Sequence, residues 1–190
     1  MSTTTRWTSR DLESLPDDGT RYEIIDGELF MSKQPHFYHQ DVCSRLSVIL
    51  GTWSMSTHLG SVAGAPGLIF AEDDDVAPDL VWISNERLAE SLQSDGHLHT
   101  APELVIEVLS PGRANERRDR EAKLNLYNRR GVVEYWIASW QTHTIDIYRR
   151  KDARLELEKT LSKSDTLESP ILPGFACQVS DVFAGLPNAT

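Results

Sequence analysis

Two acidic residues stand beside runs of apolar residues that predict buried β-strands. Asp79 begins the run over 79–83, and Glu107 interrupts the otherwise apolar run over 104–109. A carboxylate in a buried strand is costly unless it is paired or binds a cation. If the two strands pair, both carboxylates can meet at one end of a sheet, where they suit a hard cation such as Mg²⁺. Two simpler interpretations stay open: Asp79 can cap a loop after its proline, and Glu107 can pair with an arginine.

A lysine on the next predicted element adds a positive charge to this pair. The segment 115–130 is predicted to form a helix that ends at Gly131. At about 100° per residue, one arc of this helix carries Asp119, Ala122, Lys123, Leu126 and Tyr127. Because the apolar members must face the sheet, we expect Lys123 along the edge of the core, where it could reach a bound phosphate or orient a water. The alternative is a lysine whose stem covers apolar surface while its charge stays in solvent.

The stretch 113–130 is locally basic in an acidic chain. Its seven Arg and Lys residues outnumber its three acidic ones by four, whereas the formal net charge of the whole chain is −10. That net charge argues against a protein that coats nucleic acid nonspecifically. It does not exclude an enzyme that touches a phosphate backbone through one basic face. Arg113, Arg117 and Arg118 could make such contacts, and a solvated helix face is the alternative.

Other polar residues could extend the site. Glu23 lies on a predicted hairpin strand and could equally be exposed at the surface. His39 lies on an apolar helix face, where a core histidine with satisfied hydrogen bonds is the simpler interpretation. His97 and His99 occur in a polar loop with no cysteine or third histidine nearby, so we expect them to be solvated rather than to bind a metal.

Cysteine use and hydropathy bear on the compartment. Cys43 and Cys177 are far apart in the chain, and we expect two reduced, buried thiols. The segment 1–10 is polar, so no signal peptide is predicted. No stretch approaches the roughly 18 apolar residues that a membrane-spanning helix needs. The expected location is the cytoplasm, with no membrane partner.

Turn signals and apolar periodicity predict the elements that must position these residues. Asp26 and Gly27 separate two apolar runs and predict a β-hairpin over 22–31. Helices are predicted near 9–15 and after Pro35, where apolar residues recur at helical spacing, and glycines and a proline break the chain over 60–67. Further strands are predicted over 67–71, 79–83, 103–109, 132–138, 144–149 and 155–161.

The order of these elements predicts a mixed α+β fold. A strand over 103–109, a crossover helix and a strand over 132–138 form a predicted parallel unit. The chain has 190 residues, of which 39% are hydrophobic and 25% charged. These values are typical of a single globular domain that can bury a core without disulfides. We therefore expect one domain over 1–190, with its core over about 10–185.

The ordered motifs resemble those of the Uma-two family. The matching segments are 22–29, 77–81, 102–111 and 131–136, together with His39, Lys123 and Tyr127. The resemblance implies a restriction-endonuclease-like core, with a central mixed β-sheet flanked by helices and the PD-(D/E)XK signature. It also implies that Asp79 and Glu107 bind a divalent metal, Mg²⁺ or Mn²⁺, with the Val108 carbonyl as a further ligand. Glu23, His39 and Tyr127 would be accessory residues.

The chain departs from that signature at one position. The signature places a lysine two residues after the second acid, and this chain has Leu109 there. Lys123 on the following helix resembles a migrated replacement. The implied function is metal-dependent hydrolysis of nucleic-acid phosphodiester bonds, with DNA as the expected substrate and Asp79, Glu107 and Lys123 as catalytic residues.

Two other functions stay open. A nuclease-like fold without cleavage could act as a binding or regulatory module, which Leu109 and the acidic net charge favour. A metal-dependent phosphohydrolase could act on small phosphates. A homodimer is also predicted, because four aromatic residues exceed what one small core needs: Tyr135, Trp136, Trp140 and Tyr148.

Overall fold

The computed structural model describes residues 6–32 and 34–187, and its mixed α+β architecture confirms the predicted fold class. The helices are α1 (Ser9–Leu12), α2 (Phe37–Thr57), α3 (Asn85–Ser91), α4 (Arg113–Arg117), α5 (Leu124–Arg130) and α6 (Val179–Val182), with a π-helical segment (Arg118–Lys123) between α4 and α5. The strands are β1 (Arg21–Ile25), β2 (Glu28–Ser32), β3 (Gly60–Gly64), β4 (Leu68–Ala71), β5 (Asp74–Val76), β6 (Leu80–Ser84), β7 (Leu104–Val108), β8 (Glu134–Ser139), β9 (Thr144–Lys151), β10 (Arg154–Leu161), β11 (Thr166–Glu168) and β12 (Ala176–Gln178).

The central sheet has six strands in the order β10-β9-β8-β7-β6-β3. β7 and β8 are parallel, and the other neighbouring pairs are antiparallel. The predicted strand, crossover helix and parallel strand are thereby confirmed. β6 and β7 also pair, which brings the strand that follows Asp79 beside the strand that contains Glu107.

The predicted N-terminal hairpin is confirmed as well. β1 pairs antiparallel with β2 along its length. Asp26 and Gly27 form the turn with φ values of 54° and 75°, the positive region that a type I′ hairpin turn needs. The hairpin register places Glu23 in the interior, 2% exposed.

Four strands lie where the sequence predicted none, namely β3, β5, β11 and β12, and the last two pair with each other. β5 falls in the acidic segment 72–75 and joins the hairpin in a second sheet, β2-β1-β5-β4. Aspartate is unfavourable in strands, but the carboxylate of Asp74 is buried and accepts a hydrogen bond of 2.6 Å from Arg130. β3 lies in the predicted break over 60–67 and pairs with β6. Tertiary pairing therefore overrides the weak strand propensity of both segments.

Helices cover both faces of the central sheet. On one face, Val42, Leu46 and Leu50 of α2 form a core with β7 residues that include Leu104 and Ile106. On the other face, residues of the crossover segment pack against the alternate β7 positions, in a second core that contains Val105, Leu109, Leu126 and Tyr127. Glu107 belongs to this second row, because side chains alternate along a strand.

The crossover helix is not the uninterrupted α-helix that the sequence predicted. It contains a π-helical segment over Arg118–Lys123, which adds one residue to the local turn. Two residues of the predicted arc, Asp119 and Lys123, are nevertheless buried, and each is 1% exposed. Lys123 therefore lies inside the core. The helical arc predicted it along the edge of the core.

The four aromatic residues on which the homodimer prediction rests pack against the cores of the same chain. Tyr135 and Trp136 are fully buried, and Trp140 and Tyr148 are partly buried against the two cores. The inference that these four exceed the needs of one core is wrong, and the homodimer stays a prediction without that support. Among the helices of residues 6–32 and 34–187, none is long and apolar enough to cross a membrane.

Candidate active site

Asp79 is held at the entrance to β6, beside the end of β7. Its Oδ2 accepts a hydrogen bond of 2.8 Å from the backbone N–H of Val108, the residue after Glu107. Its Oδ1 lies 3.4 Å from His39 Nε2 and 3.4 Å from an Arg21 guanidinium nitrogen. The Asp79 side chain is only 7% exposed. Contacts from β7, α2 and β1 therefore hold the carboxylate largely out of solvent.

Glu107 lies in the interior among donors from the crossover segment. Its Oε1 accepts hydrogen bonds of 2.9 Å from Lys123 Nζ and 2.9 Å from the Tyr127 hydroxyl. The pairing partner is thus a lysine, where the sequence left open an arginine. Lys123 and Tyr127 come from consecutive turns of the crossover segment, so the helix that joins β7 to β8 supplies both contacts.

Glu23 joins this network from the second sheet. Its Oε1 lies 2.9 Å from Lys123 Nζ and accepts a hydrogen bond of 3.0 Å from the backbone N–H of Ala77. The sequence left open whether Glu23 is a surface residue, and the structure places it inside. Because Ala77 is two residues before Asp79, Glu23 connects Lys123 to the segment that positions Asp79.

Arg118 and Asp119 lie beside the same network. The sequence placed Asp119 on the arc of Lys123 without a role in the site, and it predicted Arg118 as a phosphate contact. Arg118 donates 3.0 Å to Asp119 Oδ1 and approaches Glu23 to 3.9 Å, with its side chain 9% exposed. It therefore points inward, which corrects its prediction as a phosphate contact. Asp119 Oδ2 is buried and has no hydrogen-bond partner among residues 6–32 and 34–187. Helical spacing placed Asp119 on the arc that faces the sheet, but it predicted no role for this residue in the site.

The environment shifts the pKa values of the two predicted metal ligands in opposite directions. Burial raises the pKa of Glu107 to about 8, with Lys123 opposing the rise and Asp79 adding to it. Burial would also raise the pKa of Asp79, but the hydrogen bond and charge of His39, the charge of Lys123 and the Val108 N–H lower it to about 2. One carboxyl group is therefore held ionised, and the other readily takes up a proton when no metal is present.

The basic partners respond to the same charges. Burial alone would lower the pKa of Lys123, but the carboxylates of Glu107, Glu23 and Asp119 raise it above its usual range. Burial would raise the pKa of Glu23, and the charges of Lys123 and Arg118 outweigh that effect and lower it. Lys123 is therefore a permanently charged ammonium inside the protein.

His39 and Cys43 approach Asp79 from α2. His39 is buried, and its Nδ1 lies 3.5 Å from the hydroxyl of Ser110, which follows β7. His39 is thus a core histidine that also contacts a predicted site residue. Cys43 is a free, partly buried thiol one helical turn later, and burial together with Asp79 and Glu107 raises its pKa. The other thiol, Cys177, is also free and partly buried, and neither cysteine was predicted to belong to a site.

The remaining predicted polar residues lie apart from this cluster. Arg113 and Arg117 are exposed, and Arg117 pairs with Glu121 at 2.8 Å on its own helix. They remain candidates for contacts with phosphate at the surface. His97 and His99 are half-buried and pair with Asp95 at 3.6 Å and 2.9 Å, so the expectation that both are solvated is only partly met.

The donor set of this cluster fits a hard divalent cation. Carboxylate oxygens are the ligands that Mg²⁺ and Mn²⁺ prefer, and both hydrogen bonds that Glu107 accepts from the described residues end on one oxygen. The region holds four largely buried carboxylates: Glu23, Asp79, Glu107 and Asp119. Lys123 and Arg118 lie beside them, and His39 and Arg21 each approach Asp79 to 3.4 Å.

Comparison with known proteins points to nucleases. Residues 9–180 match the Uma2 family, which is described as “Putative restriction endonuclease”. A solved structure from Anabaena variabilis, described as a “putative nuclease belonging to DUF820”, is similar over 95% of this chain and 99% of that chain, with a TM-score of 0.74 and 16% identity. The type IIG restriction endonuclease BpuSI is similar over 77% of this chain and 15% of its own, with a TM-score of 0.41 and 15% identity. No curated protein matches the chain.

Proposed function

Because the chain belongs to the Uma2 family, described as “Putative restriction endonuclease”, we propose that it is a metal-dependent endonuclease that hydrolyses phosphodiester bonds, with DNA as the expected substrate. One observation carries this proposal. Asp79 accepts a hydrogen bond from the residue next to Glu107, and Glu107 contacts Lys123 at 2.9 Å. Asp79 is thus bound to the strand end that carries Glu107, and the Lys123 ammonium contacts Glu107 directly. These contacts support a site in which two carboxylates hold a metal ion and an ammonium stabilises charge on the phosphate.

Asp79 and Glu107 would hold Mg²⁺ or Mn²⁺. When bound, such an ion polarises a phosphoryl oxygen and lowers the pKa of a bound water. The chain prepares Asp79 for this role, because His39 and the Val108 N–H keep its carboxylate ionised. Glu107 can give up its proton to solvent as the ion approaches.

Lys123 would act on charge that develops at the phosphate. Its ammonium is held between Glu107 and Glu23, at 2.9 Å from each, so its position is fixed before any substrate arrives. A preorganised charge in a dry site costs no reorganisation during the reaction. Tyr127 orients Glu107 from the other side through its hydroxyl. We assign Glu23 and Tyr127 as positioning residues and Lys123 as the electrostatic group.

A binding module without cleavage is the second candidate. Leu109 stands at the signature's lysine position and is buried in the apolar core, 5% exposed. Lys123 is also fully enclosed by two carboxylates, which would let the network serve as a structural ion cluster. This candidate predicts nucleic-acid binding that does not depend on a divalent metal and is not followed by cleavage.

Cleavage assays separate these functions. Wild type should cut DNA with Mg²⁺ or Mn²⁺ and should be inactive in a chelator, with RNA and nucleotides as comparison substrates. Asp79→Asn and Glu107→Gln should each lower the rate by at least about 100-fold, whereas Asp41→Asn, a change at a surface ion pair on α2, should leave the rate unchanged. An inactive wild type that still binds DNA would support the module, and hydrolysis of nucleotides alone would support a phosphohydrolase.

A further inference from the structure

A second set of ligand atoms converges on the α2 side of Asp79. A ring nitrogen of His39, the Cys43 Sγ and a carboxylate oxygen of Asp79 all lie within 4.8 Å of one another. His39 and Cys43 are four residues apart on α2, so both project from the same face of the helix. Asp79 completes the group from the segment before β6. An imidazole, a thiol and a carboxylate therefore lie close together, although they come from two elements that are distant in the sequence.

The chemistry of these ligands differs from that of the Asp79 and Glu107 pair. Thiolate and imidazole ligands select Zn²⁺ and similar ions, whereas Mg²⁺ prefers oxygen ligands only. Around a tetrahedral zinc ion with bonds of about 2.0–2.3 Å, neighbouring ligand atoms stand about 3.3–3.8 Å apart. The His39 and Asp79 atoms already lie 3.4 Å apart. Rotation of the small Cys43 side chain can close the remaining gap.

The group is also accessible from outside. Cys43 and Asp79 line one surface cleft, together with Arg21, Ser44 and Gly64. An ion can enter through this cleft, and a water can take a fourth position on its open side. Glu107 and Lys123 are not among the residues that line this cleft.

We propose that His39, Cys43 and Asp79 bind a thiophilic divalent cation of the Zn²⁺ class, and that this ion withdraws Asp79 from the Mg²⁺ site. On binding, the S–H bond of Cys43 breaks, an Sγ–metal bond forms, and the proton passes to solvent without any change of oxidation state. The metal site stands on its own ligands. Its inhibitory effect rests on the proposed nuclease function, because the same Asp79 carboxylate serves both ions.

A Co²⁺ titration tests the metal site without any cleavage assay. Co²⁺ replaces Zn²⁺ in such sites, and a thiolate ligand gives a charge-transfer absorption band in the near ultraviolet. We expect this band with one equivalent of Co²⁺ in wild type, its displacement by Zn²⁺, and no displacement by Mg²⁺. Cys43→Ser should abolish the band. Cys177→Ser is the matched control, since Cys177 is the other free thiol, and it should keep the band unchanged.

Affinity for Zn²⁺ measured by calorimetry gives a second readout. Loss of an outer-shell partner already weakens metal binding by about 10–100-fold, so loss of a direct ligand in His39→Ala or Cys43→Ser should weaken it by at least as much. Circular dichroism should show that Cys43→Ser is folded. No thiolate band in wild type, or a band that persists in Cys43→Ser and disappears in Cys177→Ser, would overturn the proposal.

Inhibition of cleavage tests the shared carboxylate. Zn²⁺ should slow Mg²⁺-dependent cleavage by wild type, and each variant is compared with its own rate without Zn²⁺. Cys43→Ser should need at least about tenfold more Zn²⁺ for the same fractional inhibition. A Cys43-dependent band in a protein that cleaves nothing would sustain the metal site and reject the nuclease. Active cleavage with no band would reject the metal site alone.

Discussion

On one face of β7, the apolar face, Leu104, Ile106 and Val108 pack against apolar residues of α2. On the other face, the charged face, Glu107 stands in the same row as Val105 and meets charged side chains of the crossover segment. Burial on the first face is favourable by about 25 cal/mol per Å² of apolar surface. Burial on the second face costs free energy, because charged groups lose their hydration.

The two faces of β7 have different roles in the molecule. The α2 face stabilises the fold through packing that any well-shaped apolar set could supply. The crossover face holds Glu23, Glu107 and Lys123 in fixed positions, an arrangement that a core built only for stability would not need. We infer that the free energy gained on the first face offsets the cost of the site on the second. Five predictions follow from this contrast, ordered by expected effect.

The largest effect on stability is expected when the Lys123 ammonium is removed from the charged face. Lys123→Met would leave the carboxylates of Glu107 and Glu23 buried without their ammonium, and the unfolding free energy should fall by about 3–5 kcal/mol. The sequence alone predicted a role for Lys123 in the reaction, and its burial, at 1% exposure, adds a role in stability. Urea denaturation of the two proteins measures the difference.

A surface lysine provides the control for this change. Lys151 pairs with Glu158 at 2.7 Å, and its side chain is 52% exposed. Lys151→Met should cost no more than about 1 kcal/mol, because solvent screens such pairs. If Lys123→Met cost as little as Lys151→Met, the network around Glu107 would not be a buried charge cluster, and the contrast between the faces would fail.

Addition of Mg²⁺ should stabilise the charged face selectively. An ion that binds only the native state raises the unfolding free energy by about 2.7 kcal/mol at 100 times its dissociation constant. Thermal melts with and without Mg²⁺ measure the shift. Asp79→Asn should remove the response, whereas Ile106→Val on the apolar face should retain it. A wild type whose melting temperature ignores both Mg²⁺ and Mn²⁺ would mean that these carboxylates are structural partners of Lys123.

The carboxyl groups should also give the metal-free protein a distinctive pH dependence. The pKa of Glu107 is raised from 4.5 to about 8, so between these values the folded protein binds more protons than the unfolded chain. Its contribution to stability is complete below pH 4.5 and is lost as the pH rises toward 8. The slope from one such group is at most about 1.4 kcal/mol per pH unit. Asp79 acts in the opposite direction, since its lowered pKa gives stability that is lost only as the pH falls from 3.8 toward 2.

Denaturation in a chelator across this range isolates Glu107. Glu107→Gln should flatten the profile above pH 4.5. Glu158→Gln replaces an exposed carboxylate whose pKa is lowered by Lys151, so it should leave that part of the profile unchanged. A wild-type profile that is already flat between pH 4.5 and 8 would show that Lys123 keeps Glu107 ionised.

The apolar face could be predicted from the sequence, and the charged face only in part. Val42, Leu46 and Leu50 recur at helical spacing, and this pattern alone indicates which side of α2 is buried. The hairpin at Asp26 and Gly27 and the parallel unit that contains Glu107 were also local enough to predict. In these regions, local propensity and tertiary packing favour the same structure.

The contacts of the charged face depend on features that no local pattern carries. The crossover contains a π-helical segment, and Arg118, which was predicted to contact phosphate at the surface, lies inward with its side chain 9% exposed. Glu23 reaches Lys123 only because the hairpin sheet packs beside the crossover, a contact between residues one hundred positions apart. All four missed strands, β3, β5, β11 and β12, are short, and β3 and β5 are also rich in glycine or aspartate. Their pairing partners determine them, and their own composition does not.

The smallest effects on stability are expected from one substitution on each face. The two substitutions should cost similar free energies of unfolding but differ in their effect on the site. Ile106→Val removes one methylene group from the α2 face and should cost about 0.5–1.5 kcal/mol. Tyr127→Phe removes the hydroxyl that donates 2.9 Å to Glu107 and should cost about the same, since a typical hydrogen bond contributes about 0.5–1.5 kcal/mol.

Only Tyr127→Phe should alter the chemistry of the site. Its hydroxyl favours the ionised form of Glu107 as a hydrogen-bond donor, so without it the pKa of Glu107 should rise further and the loss of stability should move to higher pH. The same change should slow cleavage at neutral pH, because Glu107 would more often hold the proton that a metal must displace. Ile106→Val should shift neither the pH profile nor the rate beyond what its stability loss explains. Identical pH profiles for the two variants would show that Tyr127 packs against Glu107 without tuning it, and would leave Lys123 as the principal neighbour that sets its protonation.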